Sequence, residues 1–157
     1  LMRDNKNIAV VGPMTIDGKG QLHDTFREFM SPITLITRTL KRLFNRESKS
    51  PFENRDFFKV QQVDWVSGGC LVVRQAAIEK SGLMDERYFM YIEDMDWCRR
   101  FWRNGYEVWY LPDWKVEHLG SRGSTKDFRI TNKLMWIHLI SYFKYYFKWL
   151  RLSLPLL

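Results

Sequence analysis

Acid is the scarcer charge in this chain: 18 Asp and Glu stand against 25 Lys and Arg, leaving a net charge of +7 and an isoelectric point near 9.5. That balance excludes an acidic solvating tail and favours an anionic partner, whether nucleic acid, an anionic membrane surface or a phosphorylated substrate. Cysteine is scarcer still. Cys70 and Cys98 lie far apart without metal-ligand or redox spacing, which excludes a disulfide scaffold and fits a reduced cytosolic setting. No window holds the roughly 18 uncharged apolar residues that would read as a bilayer span, and Leu1 to Lys6 has no signal-peptide pattern. Repeats and low-complexity tracts are missing too. Aromatic residues, by contrast, are plentiful. With 7 Trp, 7 Tyr and 11 Phe there are more rings than a small soluble core needs, so part of that surface is expected to meet a ligand, a partner or lipid. At 157 residues and 45% apolar, one folded unit with a real core is expected.

Asn7 to Val11 is an apolar run stopped by Gly12-Pro13, which reads as a buried strand. Met14 to Leu22, with Asp17-Gly18-Lys19-Gly20 at its middle, reads as a hairpin. Ser31-Pro32 offers an N-cap followed by Pro at the first helical position, opening an amphipathic helix to about Asn45; Arg46 to Phe58 then reads as a charged loop. Val60 to Val66 reads as a strand running into Ser67-Gly68-Gly69-Cys70, followed by extended Leu71 to Val73 and a short helix from Arg74 that ends at Gly82. Paired glycines outside a motif are more often a bulge or tight bend than a binding loop. Ile92 to Arg103 has helical spacing and stops at Asn104-Gly105; Tyr106 to Leu111 alternates as a strand until Pro112, and Val116 to His118 reads as a further short strand. Interleaved strands and helices without a repeat give an α/β class.

Glu93, Asp94 and Asp96 crowd one turn at a helix N-terminus, where the macrodipole stabilises negative charge. At about 100° per residue, Met95, Cys98 and Trp102 form the stripe expected to be buried, while Glu93, Asp96, Arg100 and Arg103 gather on the other side. Asp96 and Arg100 are then spaced as an i,i+4 ion pair. Asp94 falls at the edge of the apolar face beside Phe101, where a carboxylate needs a partner or a catalytic purpose. Helix geometry alone leaves the structural and catalytic readings level.

The runs Val63 to Cys70 and Gly82 to Arg100, followed by Asn104-Gly105-Tyr106, Leu111-Pro112-Asp113 and Val116-Glu117-His118 and preceded by Val10-Val11-Gly12-Pro13, closely resemble family-2 glycosyltransferases, particularly the rhamnosyltransferase-like branch. The resemblance covers about residues 7–125, and the ordered set is more specific than any piece of it. It implies the C-terminal part of a GT-A fold, a mixed sheet with flanking helices, with residues 1–126 as the acceptor-side part of the domain and 127–157 as an appended helix. The family's D-x-D motif, which holds Mg²⁺ or Mn²⁺ against the donor diphosphate, is expected before Leu1, since no equivalent acidic pair precedes Val10. The chain is therefore expected to be a fragment, or to rely on another chain for its nucleotide-sugar donor, and to be inactive alone. Inverting transfer needs a base on the acceptor side, and by resemblance that base is Asp94. His118 matches the position that ligates the metal or contacts the diphosphate. Gly68 and Gly69 would let backbone approach a saccharide or lipid-diphosphate-linked acceptor, Asp64 and Trp65 would hydrogen-bond and stack on it, and Glu93 would help position it.

From Met135 to Leu152, Ser141, Lys144, Lys148 and Arg151 form a narrow polar stripe on an otherwise aromatic and aliphatic helix expected to start near Asp127. That pattern predicts an interfacial helix with its lysines on an anionic leaflet, peripheral on the inner face of the membrane. The competing expectation is a helix docked on the absent half or on a second copy in a homodimer. Two rival functions follow: a non-catalytic membrane- or partner-binding module derived from such an enzyme, and a nucleic-acid binder. The second is not expected, because no nucleic-acid motif is present and the rings cluster in one helix.

Overall fold

The computed structural model describes residues 1–43, 55–119 and 133–153. Its centre is β1 (Ile8–Ile16), almost wholly buried, which pairs in parallel with β6 (Glu107–Glu117) and antiparallel with β5 (Val72–Val73). The sheet is completed by β3 (Gln61–Gln62) antiparallel to β6, giving the order β3-β6-β1-β5; β2 (Phe26–Arg27) and β4 (Trp65–Val66) pair separately. The helices are α1 (Pro32–Leu43), α2 (Gln75–Ser81), α3 (Glu93–Arg103) and α4 (Lys133–Ser153). This is the expected mixed α/β class with a long C-terminal helix.

Three strand boundaries differ from those the sequence predicts, each for a nonlocal reason. β1 does not stop at Gly12-Pro13: it runs on to Ile16, and a register shift against β6 between Pro13 and Met14 accommodates a residue with no N–H to give. Gly12 is required there because a Cβ would come within 2.7 Å of the Val66 side chain. At the same shift β6 passes through Pro112: Pro13 faces Leu111 and Met14 faces Lys115, so the two predicted strands are one strand with a bulge. Conversely, Val60 to Val66 splits into β3 and β4, which belong to different sheets.

The local signals held elsewhere. Asp17 closes the hairpin turn, its Oδ1 accepting the Lys19 and Gln21 N–H groups at 2.8 and 2.9 Å, with Gly20 at φ 74°. Ser31 Oγ accepts the Thr34 N–H at 3.1 Å as the N-cap of α1. Ile33, Ile36 and Leu40 of that helix are exposed. The predicted charged loop lies largely outside the described residues, but its end is core: Phe57 is buried against Phe26, and its carbonyl accepts the Tyr110 hydroxyl at 2.9 Å.

α3 lies against this core through Met95, Trp97, Cys98 and Phe101. Asp96, predicted on the solvated side, is fully buried because α4 covers it. Lys148 Nζ donates to Asp96 Oδ2 at 2.6 Å and to Asp85 Oδ2 at 2.9 Å, and Trp149 Nε1 donates to Asp96 Oδ1 at 2.8 Å. Ser141 Oγ donates to the Met90 carbonyl at 3.0 Å and Lys144 Nζ to the Arg87 carbonyl at 2.7 Å. Of the stripe expected to meet a leaflet, Ser141, Lys144 and Lys148 therefore bond to the protein, while Arg151 stays exposed. A buried carboxylate needs donors, and this stripe supplies them. The predicted start of α4 near Asp127, and with it the boundary at 126/127, lies outside the described residues.

Candidate active site

The chain enters α3 through two non-glycine residues at positive φ, Tyr91 at 66° and Ile92 at 73°. Left-handed backbone at a β-branched residue costs on the order of 1–3 kcal/mol and persists only where the surroundings impose it. Those surroundings are visible. Ile92 is buried and its carbonyl accepts the Asp96 N–H at 2.8 Å, while Tyr91 stacks on His138 of α4 with ring centroids 4.6 Å apart. The strained turn starts α3 abruptly and presents Glu93 and Asp94 in its first turn.

Asp94 is partly buried, and both its oxygens are held: Oδ2 accepts the Gly68 N–H at 2.8 Å and Oδ1 the Met95 N–H at 2.7 Å. Burial pushes its carboxyl above the usual carboxylate range, opposed by these two hydrogen bonds and by the charge of Arg27. Glu93 beside it is raised as well, first by burial and then by the Asp94 charge, and its Oε2 is buried without a hydrogen-bond partner among the described residues. Two neighbouring carboxyls are thus biased toward their protonated forms, with only Asp94 held by N–H donors from outside its own turn.

β4 leads into Gly68 and Gly69, which pass between the carboxylates and His118. A Cβ on Gly68 would lie 3.6 Å from the Asp94 side chain; one on Gly69 would lie 3.0 Å from His118 Cδ2 and 3.2 Å from Nε2. Gly69 is needed for close approach to the His118 ring, whereas a Cβ on Gly68 would make only ordinary contact; neither serves a special dihedral. His118 follows the end of β6, where its N–H donates to the Ile16 carbonyl at 2.9 Å, and its ring stands edge-on to His23 with centroids 6.0 Å apart.

Of the residues singled out from the sequence, the fold gathers Glu93, Asp94, Gly68, Gly69 and His118. It does not bring Asp64 and Trp65 there as acceptor contacts. Asp64 Oδ2 accepts the Phe29 N–H at 2.7 Å and its carbonyl accepts Trp102 Nε1 at 2.9 Å, a bracing role. Trp65 is only 4% exposed, with its Nε1 on the Glu28 carbonyl at 3.2 Å and Arg27 over its ring, so it has no open face on which a sugar would stack. In this structure Asp64 and Trp65 both brace the fold. Sequence reasoning missed His23 and Arg27. No local signal marks them, because only the pairing of β1 with β6 and of β2 with β4 carries them to the site.

Among the described residues no group of three or more His, Cys, Asp or Glu is placed to hold a metal ion. The imidazoles of His118 and His23 fall short of a complete ligand set. What the arrangement offers is a positioned proton acceptor on one side of a glycine pair and imidazole on the other.

No protein-family model matches the chain. Among curated proteins it is 42% identical over 65 residues to the N-acetylglucosaminyl-diphospho-decaprenol L-rhamnosyltransferase of Mycobacterium tuberculosis, a match covering 41% of this chain and 21% of the relative. It is 29% identical over 98 residues to rhamnosyltransferase WbbL of Escherichia coli, covering 62% of this chain and 36% of the relative. It is 27% identical over 117 residues to the dTDP-rhamnosyl transferase RfbF of Shigella flexneri, covering 73% and 34%. The chain thus spans about a fifth to a third of the length of the curated relatives it matches. Within those spans the chain is similar to three proteins named as rhamnosyltransferases.

Proposed function

We propose that this chain carries the acceptor side of an inverting, family-2 glycosyltransferase that moves rhamnose from a nucleotide-sugar donor to a saccharide or lipid-diphosphate-linked saccharide during polysaccharide synthesis. The supporting observation is that Asp94 and His118, distant in sequence, close on the adjacent glycines Gly68 and Gly69. In the proposed reaction an acceptor hydroxyl gives its proton to the Asp94 carboxylate as its oxygen bonds to the anomeric carbon. The bond from that carbon to the donor diphosphate breaks on the opposite face, and the electron pair leaves with the nucleotide diphosphate. The Gly68 N–H fixes the carboxylate so that one oxygen remains oriented for the proton, and His118 is the contact this chain offers to the leaving diphosphate or to the Mg²⁺ or Mn²⁺ expected with it. The names of the relatives support rhamnose as the sugar, and that of the M. tuberculosis relative supports a lipid-diphosphate acceptor.

The test is Asp94→Asn in the enzyme that carries this chain. Removing a general base while keeping its shape should lower transfer about 10²–10⁴-fold with donor affinity nearly unchanged. Retention of more than about a tenth of the rate would remove Asp94 from that role. Loss of donor binding without loss of turnover at saturation would do the same.

A further inference from the structure

With its lysine stripe turned inward, α4 presents a different face to the outside. Trp136, Ile140, Phe143, Phe147 and Leu150 are all exposed, Phe143 at 74%, and their spacing of three and four residues lines them up along one side of the helix. Phe143 and Phe147 stack with centroids 6.4 Å apart, and the Arg151 guanidinium lies over the Phe147 ring at 5.9 Å. The row continues off the helix. Ser141 and Lys144 bind the carbonyls of Met90 and Arg87, which sets Phe89, 81% exposed, beside the same part of α4. Phe89 and Met90 lead directly into the strained turn and Asp94.

We infer that this face, α4's outer row together with Phe89, is a docking surface for an anionic lipid bilayer, with the Asp94 site at its edge. The occupant follows from charge. α4 carries no acid, and its exposed charges, Lys133, Lys144 and Arg151, are all positive. Two copies packed through this row would oppose like charges without a counter-ion. An anionic leaflet takes up the rings and satisfies the cations together. Arg151 is exposed at the end of the row, with its guanidinium over the Phe147 ring. The surface stands independently of the chemistry, but its service to a lipid-tailed acceptor rests on the sugar-transfer reading.

Flotation of the chain with phosphatidylglycerol–phosphatidylcholine vesicles tests it, using Phe143→Ser combined with Phe147→Ser. Both side chains are exposed, so the urea midpoint should not move, while partition should fall about tenfold or more. Arg151→Glu should reduce partition about fivefold or more, and added salt should weaken it. Wild-type chain that fails to float, partition unaffected by the double substitution, or a salt-insensitive dimer that the substitution dissolves would each overturn the inference. Partition needs no turnover, so intact flotation without sugar transfer would count against the proposed reaction instead.

Discussion

At Ile92 a β-branched side chain sits at φ 73° one residue before a helix whose next two residues are acids. A short helix start with a Ser or Asp cap would have avoided that strain; the strained version is held by burial of Ile92 and by the stacked Tyr91 and His138 rings, and it delivers Asp94 to the Gly68 N–H. The consequence for pH follows from the sign of the shift. Burial raises the Asp94 carboxyl, and in the proposed role it works only when ionised, so the rate should rise with pH through a pKa above 3.8, the ordinary value. A kcat/KM profile across the acid range measures this, and a limb at or below the ordinary aspartate value would show that the burial is not felt at the site. Asp94 at the apolar edge of its helix was legible from the 3.6-residue period alone. The hydrogen bond that fixes it was not, because its donor comes from a different element.

Among the elements, α4 shows how a correct pattern can yield the wrong direction. Periodicity rightly separates a narrow polar stripe from a broad apolar one, yet it cannot say which of the two meets protein. Asp96 decides that: fully buried, it takes donors from Tyr88 at 3.4 Å, Arg100 at 3.2 Å, Trp149 and Lys148, and so draws the polar stripe inward. On the same side Arg99 donates to the Tyr145 hydroxyl at 2.7 Å and lies 4.6 Å over the Trp149 ring. α4 therefore clamps residues 85–96, the stretch that carries Asp94. Lys148→Met should cost about 3 kcal/mol, because it leaves a buried carboxylate short of its closest cation. Urea unfolding with an unchanged slope would read that loss. A cost below about 0.5 kcal/mol would mean that Arg100 and Trp149 satisfy Asp96 alone.

For the whole molecule, cooperativity can be read from its two thiols, neither of which is in a disulfide. Cys98 is fully buried in the α3 core, and burial pushes its thiol up to about 12; Cys70, after the glycine pair, is partly exposed. Because only the thiolate reacts, a thiol reagent near neutral pH should label Cys70 in the native protein and Cys98 only at the rate of global opening. Equal labelling rates in native buffer would mean that α3 opens locally. The Asp85 carboxyl adds an acid-sensitive term. Hydrogen bonds from Arg87 and Lys148 hold it well below the usual range, so its stabilising effect is present above its unfolded value and is lost as pH falls below it.

The sequence by itself determined the α/β class, the N-cap of α1, the stops of α2 and α3, the hairpin at Asp17 and the special place of Asp94. All of these are written in neighbours a few residues apart, where backbone sterics and helix period act directly. Tertiary structure alone decided that β1 and β6 run through their prolines, that Trp65 belongs to the core, that His23 stands beside His118, and that α4 turns Lys148 inward and Phe143 and Phe147 outward. Each depends on a partner tens of residues away: a parallel neighbour that absorbs a bulge, a sheet that covers an indole, a buried carboxylate that requires a cation. Local periodicity carries no information about which distant residue arrives to supply it.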